Sequence, residues 1–139
     1  METIVVGVDG SDEARAALEW ALAEARLRGA RVKAVIAWQA PAVEGFPYTN
    51  PILDPGRFER AAEGLLDEEV AKADPDRVVE VERVVAWSSP SAALLEAAEG
   101  AAMVVVGSRG RGGFTGLLLG SVSQQVAHHA TCPVVIVRA

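Results

Sequence analysis

The sequence contains a single cysteine, Cys132, among its 139 residues. One cysteine cannot form an internal disulfide, which excludes the small secreted scaffolds that depend on several of them. No apolar run approaches the roughly 20 residues that a membrane-spanning helix needs. The first ten residues carry an acid at position 2 and no basic residue, so they predict a core strand rather than a signal peptide. We therefore expect a cytoplasmic protein that does not associate with membranes.

Basic residues are also scarce: the sequence has 13 lysines and arginines and 19 acidic residues, and the net charge is −6. This balance argues against a nucleic-acid partner, because neutralising a phosphate backbone requires a basic surface. One small phosphate ligand needs only a local cluster of donors, so that class of ligand stays open. Half of the residues are hydrophobic, which predicts a single domain over residues 1–139 with a sizeable core.

Five short aliphatic runs predict strands at residues 4–8, 32–38, 78–86, 103–106 and 134–137. The first, fourth and fifth runs are almost continuously apolar and β-branched, which is typical of strands buried on both faces of a parallel sheet. The third run alternates with charged residues, so we expect it nearer an edge. Helical patterns lie between the runs, at residues 11–28, 55–72, 89–100 and 121–129. The alternation predicts an α/β fold with helices on both faces of the sheet.

Residues 39–54 form the one long segment without periodicity, and they include three prolines. A segment of this length in a compact domain is usually a functional flap or a mobile loop. The sequence does not favour either interpretation.

A glycine-dense loop between the fourth strand and the fourth helix is the most informative stretch. Glycines let backbone N–H groups approach a phosphate closely, and a helix N-terminus adds further donors. The candidate phosphate-binding residues are Gly107, Ser108, Arg109, Gly110, Arg111, Gly112, Gly113, Gly120, Ser121, Val122 and Ser123. Neither the P-loop pattern nor the G-x-G-x-x-G fingerprint occurs here. A flexible glycine loop without a ligand is the alternative.

The spacing of Gly107, Gly110, Gly120 and Ser121 follows the pattern G-x2-G-x9-G-[ST]. This pattern resembles the nucleotide motif of ATP-binding members of the universal stress protein family. Residues 4–11 and 131–137 resemble the first and last strands of that family, so the resemblance covers nearly the whole chain. It implies an open, Rossmann-like, five-stranded parallel sheet in the order 3-2-1-4-5. It also implies a stress-response regulator that binds ATP, or alternatively ADP or AMP, with Mg²⁺ arriving on the phosphates.

That strand order places the switch point between the first and fourth strands, where open α/β sheets bind ligands. The candidate binding residues outside the glycine loop are Gly7, Val8, Asp9, Ser11 and Ala37. The resemblance implies adenine contacts with the backbone near Val8 and Ala37. Asp9 would contact the ribose or a phosphate-bound metal, or else cap the following helix. Trp38 and Trp87 would shield the base, or else pack in the core or at the rim.

No protein-built metal site is expected, because the adjacent residues His128 and His129 would point in different directions on a helix. Three functions remain open: a nucleotide-binding regulator that an unidentified downstream protein recognises, a slow ATP hydrolase, and a dimeric interaction module that needs no nucleotide. The resemblance implies a homodimer through the segment from Pro133 to Arg138, since an aliphatic edge strand needs a partner. Replacing Gly107 or Gly120 by valine is expected to abolish ATP binding and to leave the fold intact.

Overall fold

The structure is a computed structural model that describes residues 1–38, 55–109 and 119–139. Strands and helices alternate along these ranges. They are β1 (Thr3–Gly7), α1 (Asp12–Arg28), β2 (Arg31–Ala37), α2 (Pro55–Ala73), β3 (Val81–Ala86), α3 (Pro90–Ala97), β4 (Met103–Gly107), α4 (Ser121–His129) and β5 (Val134–Val137). The strands form one parallel sheet in the order β3-β2-β1-β4-β5. The predicted α/β fold and strand order are therefore confirmed.

The core lies on both faces of this sheet, as the β-branched runs predict. In β1, Ile4, Val5 and Val6 have no solvent exposure. Because side chains alternate along a strand, Ile4 and Val6 join the core that includes residues of α1 and α2. Val5 joins the opposite core, which includes residues of α3 and α4. The central strands are thus covered on both sides.

The first helix begins and ends where its sequence signals predict. The Ser11 hydroxyl accepts a hydrogen bond from the backbone N–H of Ala14 at 3.2 Å and so caps the N-terminus. Gly29 ends the helix in the left-handed conformation, with φ of 66°. The residues buried along its inner face are Ala14, Ala17, Leu18, Ala21, Leu22 and Ala25. The alanine-rich face lets α1 lie close to the sheet.

An ion pair joins α1 to α2 beside this core. Arg15 donates from Nε to Oε2 of Glu69 at 2.9 Å and from Nη2 to Oε1 at 3.2 Å. The carboxylate of Glu69 is almost completely buried, with 4% of the side chain exposed. The hydrogen bonds from Arg15 hold the pKa of Glu69 below its ordinary value, although burial works in the opposite direction. This pair fixes the position of α2 relative to α1.

The third strand lies at one edge of the sheet, as predicted, but it begins at Val81 rather than at residue 78. The reason is the buried carboxylate of Asp74, which accepts hydrogen bonds from the backbone N–H groups of Val78 and Val79. These residues belong to the turn that follows α2, where Arg77 has a positive φ of 53°. The turn delays the start of the strand by three residues.

The predicted flap or mobile loop at residues 39–54 lies outside the described residues, and so do residues 110–118. Among the helices that the structure describes, none is long and apolar enough to cross a membrane.

Candidate functional site

The candidate site lies where the strand order reverses. β1 and β4 are neighbours in the sheet, and Val5 is in register with Val104. Gly7 and Gly107 therefore end adjacent parallel strands at the same edge of the sheet. Crossovers leave β1 and β4 in opposite directions, and this geometry opens a crevice beyond their carboxyl ends.

A cavity of about 420 Å³ occupies this crevice. It is lined from β1 and the turn after it, from the end of β2, from the inner face of α2, from the start of α3, and from the segments on either side of residues 110–118. Ten of the lining residues are predicted site residues: Gly7, Val8, Asp9, Ala37, Gly107, Arg109, Gly120, Ser121, Val122 and Ser123. Ser11 and Ser108 do not line the cavity, and Gly110, Arg111, Gly112 and Gly113 lie outside the described residues.

The turn between β1 and α1 places Asp9 at the cavity. Its Oδ1 atom accepts a hydrogen bond from the backbone N–H of Ser11 at 2.8 Å, and Gly10 between them has a φ of 82°. A positive φ of this size favours glycine. Ser11 caps α1, and Asp9 binds the backbone N–H of Ser11, so both side chains stabilise the turn. Ser11 is therefore placed as a helix cap, and the carboxylate of Asp9 is the acidic group at the cavity wall.

Ser108 ties the two ends of the glycine-dense loop together. Its carbonyl oxygen accepts hydrogen bonds from the backbone N–H of Gly120 at 2.7 Å and from the hydroxyl of Ser123 at 3.1 Å. Its own N–H donates to the carbonyl of Val137 in β5 at 2.8 Å. Ser108 and Ser123 are both buried. The Ser123 hydroxyl, expected as a phosphate donor, instead has backbone carbonyls as partners.

The N-terminus of α4 lies beside these hydrogen bonds of Ser108. Gly120 is the N-cap residue, and it supplies no capping side chain to the first turn. The backbone N–H groups there are donors with no helical partner of their own. Ser121 is exposed and lines the cavity, so its hydroxyl adds a donor at the same place. This end of the cavity suits an anion.

Two charged side chains line the described part of the cavity, Asp9 from the β1 side and Arg109 from the β4 side. Within the described ranges, no group of three or more histidine, cysteine, aspartate or glutamate residues is arranged to hold a metal ion. The cavity thus places one cation and one helix N-terminus at its β4 side. The opposite side, beyond β2, is apolar.

That apolar side contains residues that sequence patterns do not reveal. Phe58, Ala62 and Leu65 of α2 and Leu94 of α3 line the cavity. Their periodicity predicts burial against the sheet and carries no sign of a ligand. Phe58 also contacts the rings of Trp38 and Trp87, which the sequence singles out separately.

Comparison with known proteins identifies the family. The model of the universal stress protein family matches residues 1–138. The chain belongs to the universal stress protein family. A universal stress protein of Mycolicibacterium smegmatis is 42% identical over 138 residues, which are 97% of this chain and 45% of that protein. The chain spans about half the length of the curated universal stress proteins that it matches.

Solved universal stress proteins share the fold. UspA from Lactobacillus plantarum matches with a TM-score of 0.81 at 23% identity, over 99% of this chain and 97% of that one. A universal stress protein in complex with cAMP matches with a TM-score of 0.73 at 29% identity, over 99% and 96%. A universal stress protein from Archaeoglobus fulgidus in complex with dAMP matches with a TM-score of 0.71 at 26% identity, over 99% and 98%. Two of these three relatives are thus described with an adenine nucleotide.

Proposed function

We propose that this universal stress protein is a cytoplasmic regulator of the stress response that binds ATP, or the related nucleotides ADP or AMP, in the cavity between β1 and β4. The observation that carries the proposal is the convergence of Asp9 and Arg109, 100 positions apart in the sequence, on one cavity. A volume of about 420 Å³ lies within the usual range for small-molecule sites. The relatives solved with cAMP and dAMP support an adenine nucleotide as the class of ligand.

The charge distribution orients the ligand in this proposal. The phosphates lie toward β4, where Arg109, the hydroxyl of Ser121 and the first N–H groups of α4 are available. Each of these groups is a donor that favours an anion. The base lies toward the end of β2, beside Ala37, where the lining is apolar. The ribose then lies over the end of β1, within reach of Asp9.

Magnesium fits this site as a companion of the phosphates. Asp9 is the one carboxylate among the described lining residues, and Mg²⁺ commonly binds through one or two carboxylates together with substrate phosphates. When bound, the ion would neutralise phosphate charge, and Asp9 is the residue of this chain that would face it. One carboxylate is too few for a cage built by the protein alone.

Regulation rather than catalysis is the role that we propose. Phosphoryl transfer to water needs a positioned water, a base and cations on the terminal phosphate. Asp9 and Arg109 are the charged groups that the described cavity offers. We expect ATP turnover far below the roughly 1–100 s⁻¹ of kinases. A downstream protein would respond to nucleotide occupancy. The form of this protein that binds that partner would be a homodimer through Pro133 to Arg138.

Isothermal titration calorimetry with ATP, ADP and AMP, each with and without Mg²⁺, tests the proposal. Arg109→Gln should weaken binding by roughly 1.5–3 kcal/mol, since a hydrogen bond to a charged group is lost. Arg60→Gln is the matched control, because Arg60 is exposed on α2 and does not line the cavity. If none of the three nucleotides binds to the unmodified protein, the nucleotide-independent interaction module replaces this proposal. Rapid hydrolysis that depends on Asp9 would instead favour an enzyme.

A further inference from the structure

Three aromatic rings meet at the β2 side of the cavity. Trp38 follows β2, Phe58 lies on α2, and Trp87 follows β3. The ring centroids of Trp38 and Phe58 are 4.7 Å apart with an interplanar angle of 30°. Trp87 meets Trp38 edge-on at 4.7 Å and Phe58 at 5.1 Å. We call these three residues the aromatic cluster.

Burial in the core accounts for only part of the aromatic cluster. Phe58 packs against the core that includes residues of α1. Trp87, however, is 47% exposed, and neither Trp38 nor Trp87 belongs to the two hydrophobic cores of the described residues. The chain has only seven aromatic residues, and three of the four that the structure describes are gathered here. The fourth, Trp20, lies on α1. Among the residues that the structure describes, aromatic side chains are therefore concentrated at one place, beside a cavity.

The rings have different relations to the cavity. Trp38 and Phe58 line it, whereas Trp87 does not and contacts both of them from the side. Since Trp38 and Phe58 already contact each other, a planar ligand would lie against the pair and not between its members. The edge-on contact from Trp87 restricts the ring of Trp38.

The separation of the aromatic cluster from the anion-binding end also matters. Trp38 follows β2, and Arg109 follows β4, with β1 between them. Two steps across the sheet correspond to about 9–10 Å at the usual strand spacing. A ribose joining a phosphate group to a base can bridge such a gap. The lining near Trp38 comes from apolar residues such as Ile36, Ala37 and Ala62. A flat, weakly polar ring system fits there, and a second charged group does not.

We propose that Trp38 and Phe58 form the stacking surface for the base of the bound nucleotide, and that Trp87 is a positioning residue that holds Trp38. This inference rests on the proposed nucleotide function and adds the residues that recognise the base. Stacking accepts any base, because every base has a π face, but it rejects a sugar phosphate without one. The stacking surface therefore distinguishes nucleotides from sugar phosphates.

The test compares AMP with ribose 5-phosphate, which has the same sugar and phosphate but no base. The measured quantity is the ratio of their dissociation constants, obtained by calorimetry or, for a weak ligand, by competition. Trp38→Leu and Phe58→Leu should each reduce the preference for AMP about tenfold, and affinity for ribose 5-phosphate should stay within twofold. Trp38→Phe keeps an aromatic face and should retain most of the preference. Trp20 lies on α1 and does not line the cavity, so Trp20→Leu is the control and should change neither affinity.

A second measurement separates stacking from a structural role. AMP should quench tryptophan fluorescence in the unmodified protein and in Trp20→Phe, and the quenching should be largely lost in Trp38→Phe although binding persists. Unchanged preference for AMP in both leucine variants would overturn the stacking proposal and leave the nucleotide function standing. An equal loss of affinity for both ligands would also overturn it, since the rings would then support the whole site. If the unmodified protein binds none of AMP, ADP and ATP, the proposed function and the stacking surface are both refuted.

Discussion

A Cβ atom at Gly107 would lie 2.8 Å from the backbone carbonyl carbon of Glu13, where the end of β4 meets the first turn of α1. Side chains do not approach a backbone so closely, so α1 would have to move. We therefore revise the expectation that Gly107→Val affects only the ligand. Even Gly107→Ala should destabilise the fold by about 1–3 kcal/mol, because it overpacks this contact. Chemical denaturation followed by circular dichroism measures the change.

Gly64 provides the control for that prediction. It lies within α2, and a Cβ atom there would meet no other atom within 4 Å. Gly64→Ala should stabilise the protein by about 0.5–1 kcal/mol, because glycine is unfavourable inside a helix. Equal stability of Gly107→Ala and the unmodified protein would show that α1 and β4 tolerate the extra atom. Gly107 would then be required, if at all, only for the ligand.

Ser121 and Ser123 are two residues apart, yet their substitutions should have different effects. The single O–H of the buried Ser123 side chain is shared between the carbonyls of Ser108 and Gly120, at 3.1 and 2.9 Å. Ser123→Ala should therefore lower the free energy of unfolding by about 1 kcal/mol. Ser121 is exposed at the cavity, so Ser121→Ala should leave stability within about 0.5 kcal/mol. It should weaken nucleotide binding by about 1–2 kcal/mol, since one neutral donor is lost.

Thermal melting and calorimetry on the two serine variants check this contrast. The reverse pattern, in which Ser121→Ala is less stable and Ser123→Ala loses only affinity, would mean that the phosphate contacts the inner hydroxyl.

The Arg15–Glu69 pair predicts a dependence of stability on pH. The pKa of Glu69 is lower in the folded protein than in the unfolded chain, chiefly because Arg15 hydrogen-bonds to its carboxylate. Its stabilising contribution is therefore complete above the unfolded pKa, about 4.3, and is lost as the pH falls through the folded pKa. Glu69→Gln should be less stable at neutral pH and should lose less stability on acidification. Melting temperatures between about pH 3 and pH 7 measure both effects.

Glu68→Gln is the control for the pH prediction, because Glu68 is exposed on the same helix and its nearest cation, Lys72, is 3.9 Å away. Its melting curve should follow that of the unmodified protein. Parallel pH profiles for Glu69→Gln and the unmodified protein would show that other carboxylates cause the acid sensitivity.

The strands and helices were predictable because their burial follows directly from residue type. Runs such as residues 103–106 are apolar at every position, short and rich in valine, which is typical of a strand covered on both faces. The order of the strands was not predictable from these runs and depended on the family resemblance. The predicted start of β3 was wrong by three residues, because the side chain of Asp74 accepts hydrogen bonds from the backbone of the preceding turn. Composition does not reveal such a contact.

The part of the cavity lining that lies at the ends of strands was predictable, and the part that lies on helices was not. Asp9 follows β1 and Gly107 ends β4, so the strand order brings them together at the cavity. Phe58 is separated from Trp38 by 20 positions and lies on a helix whose pattern indicates only packing. The contacts of Ser123 with backbone carbonyls were also not predictable, since a hydroxyl in the first turn of a helix can donate equally well to a ligand or to a carbonyl.

β5 forms the edge of the sheet opposite β3 and pairs with β4 on one side. Its four residues, Val134 to Val137, are aliphatic, and all of them are half-buried. An aliphatic edge strand promotes association unless something pairs with it or covers it. We predict that a second copy of the chain pairs with it, through a two-fold axis that satisfies the edge N–H and C=O groups of both strands. The unmodified protein should then have twice the monomer mass of 14.6 kDa in light scattering.

The backbone geometry of β5 identifies a specific variant for this test. The carbonyls of Pro133 and Val137 accept hydrogen bonds from Val104 in β4 and from Ser108 directly after it. Alternation along the strand therefore directs the N–H of Val134 toward the open edge. Val134→Pro should remove that outward donor without breaking the bonds to β4, and it should shift the protein toward monomer. Val135→Lys is a less direct test, because Val135 packs against the core that includes residues of α1. A monomeric unmodified protein at micromolar concentration would refute the prediction, and a dimeric Val134→Pro variant with an unchanged melting temperature would place the interface elsewhere.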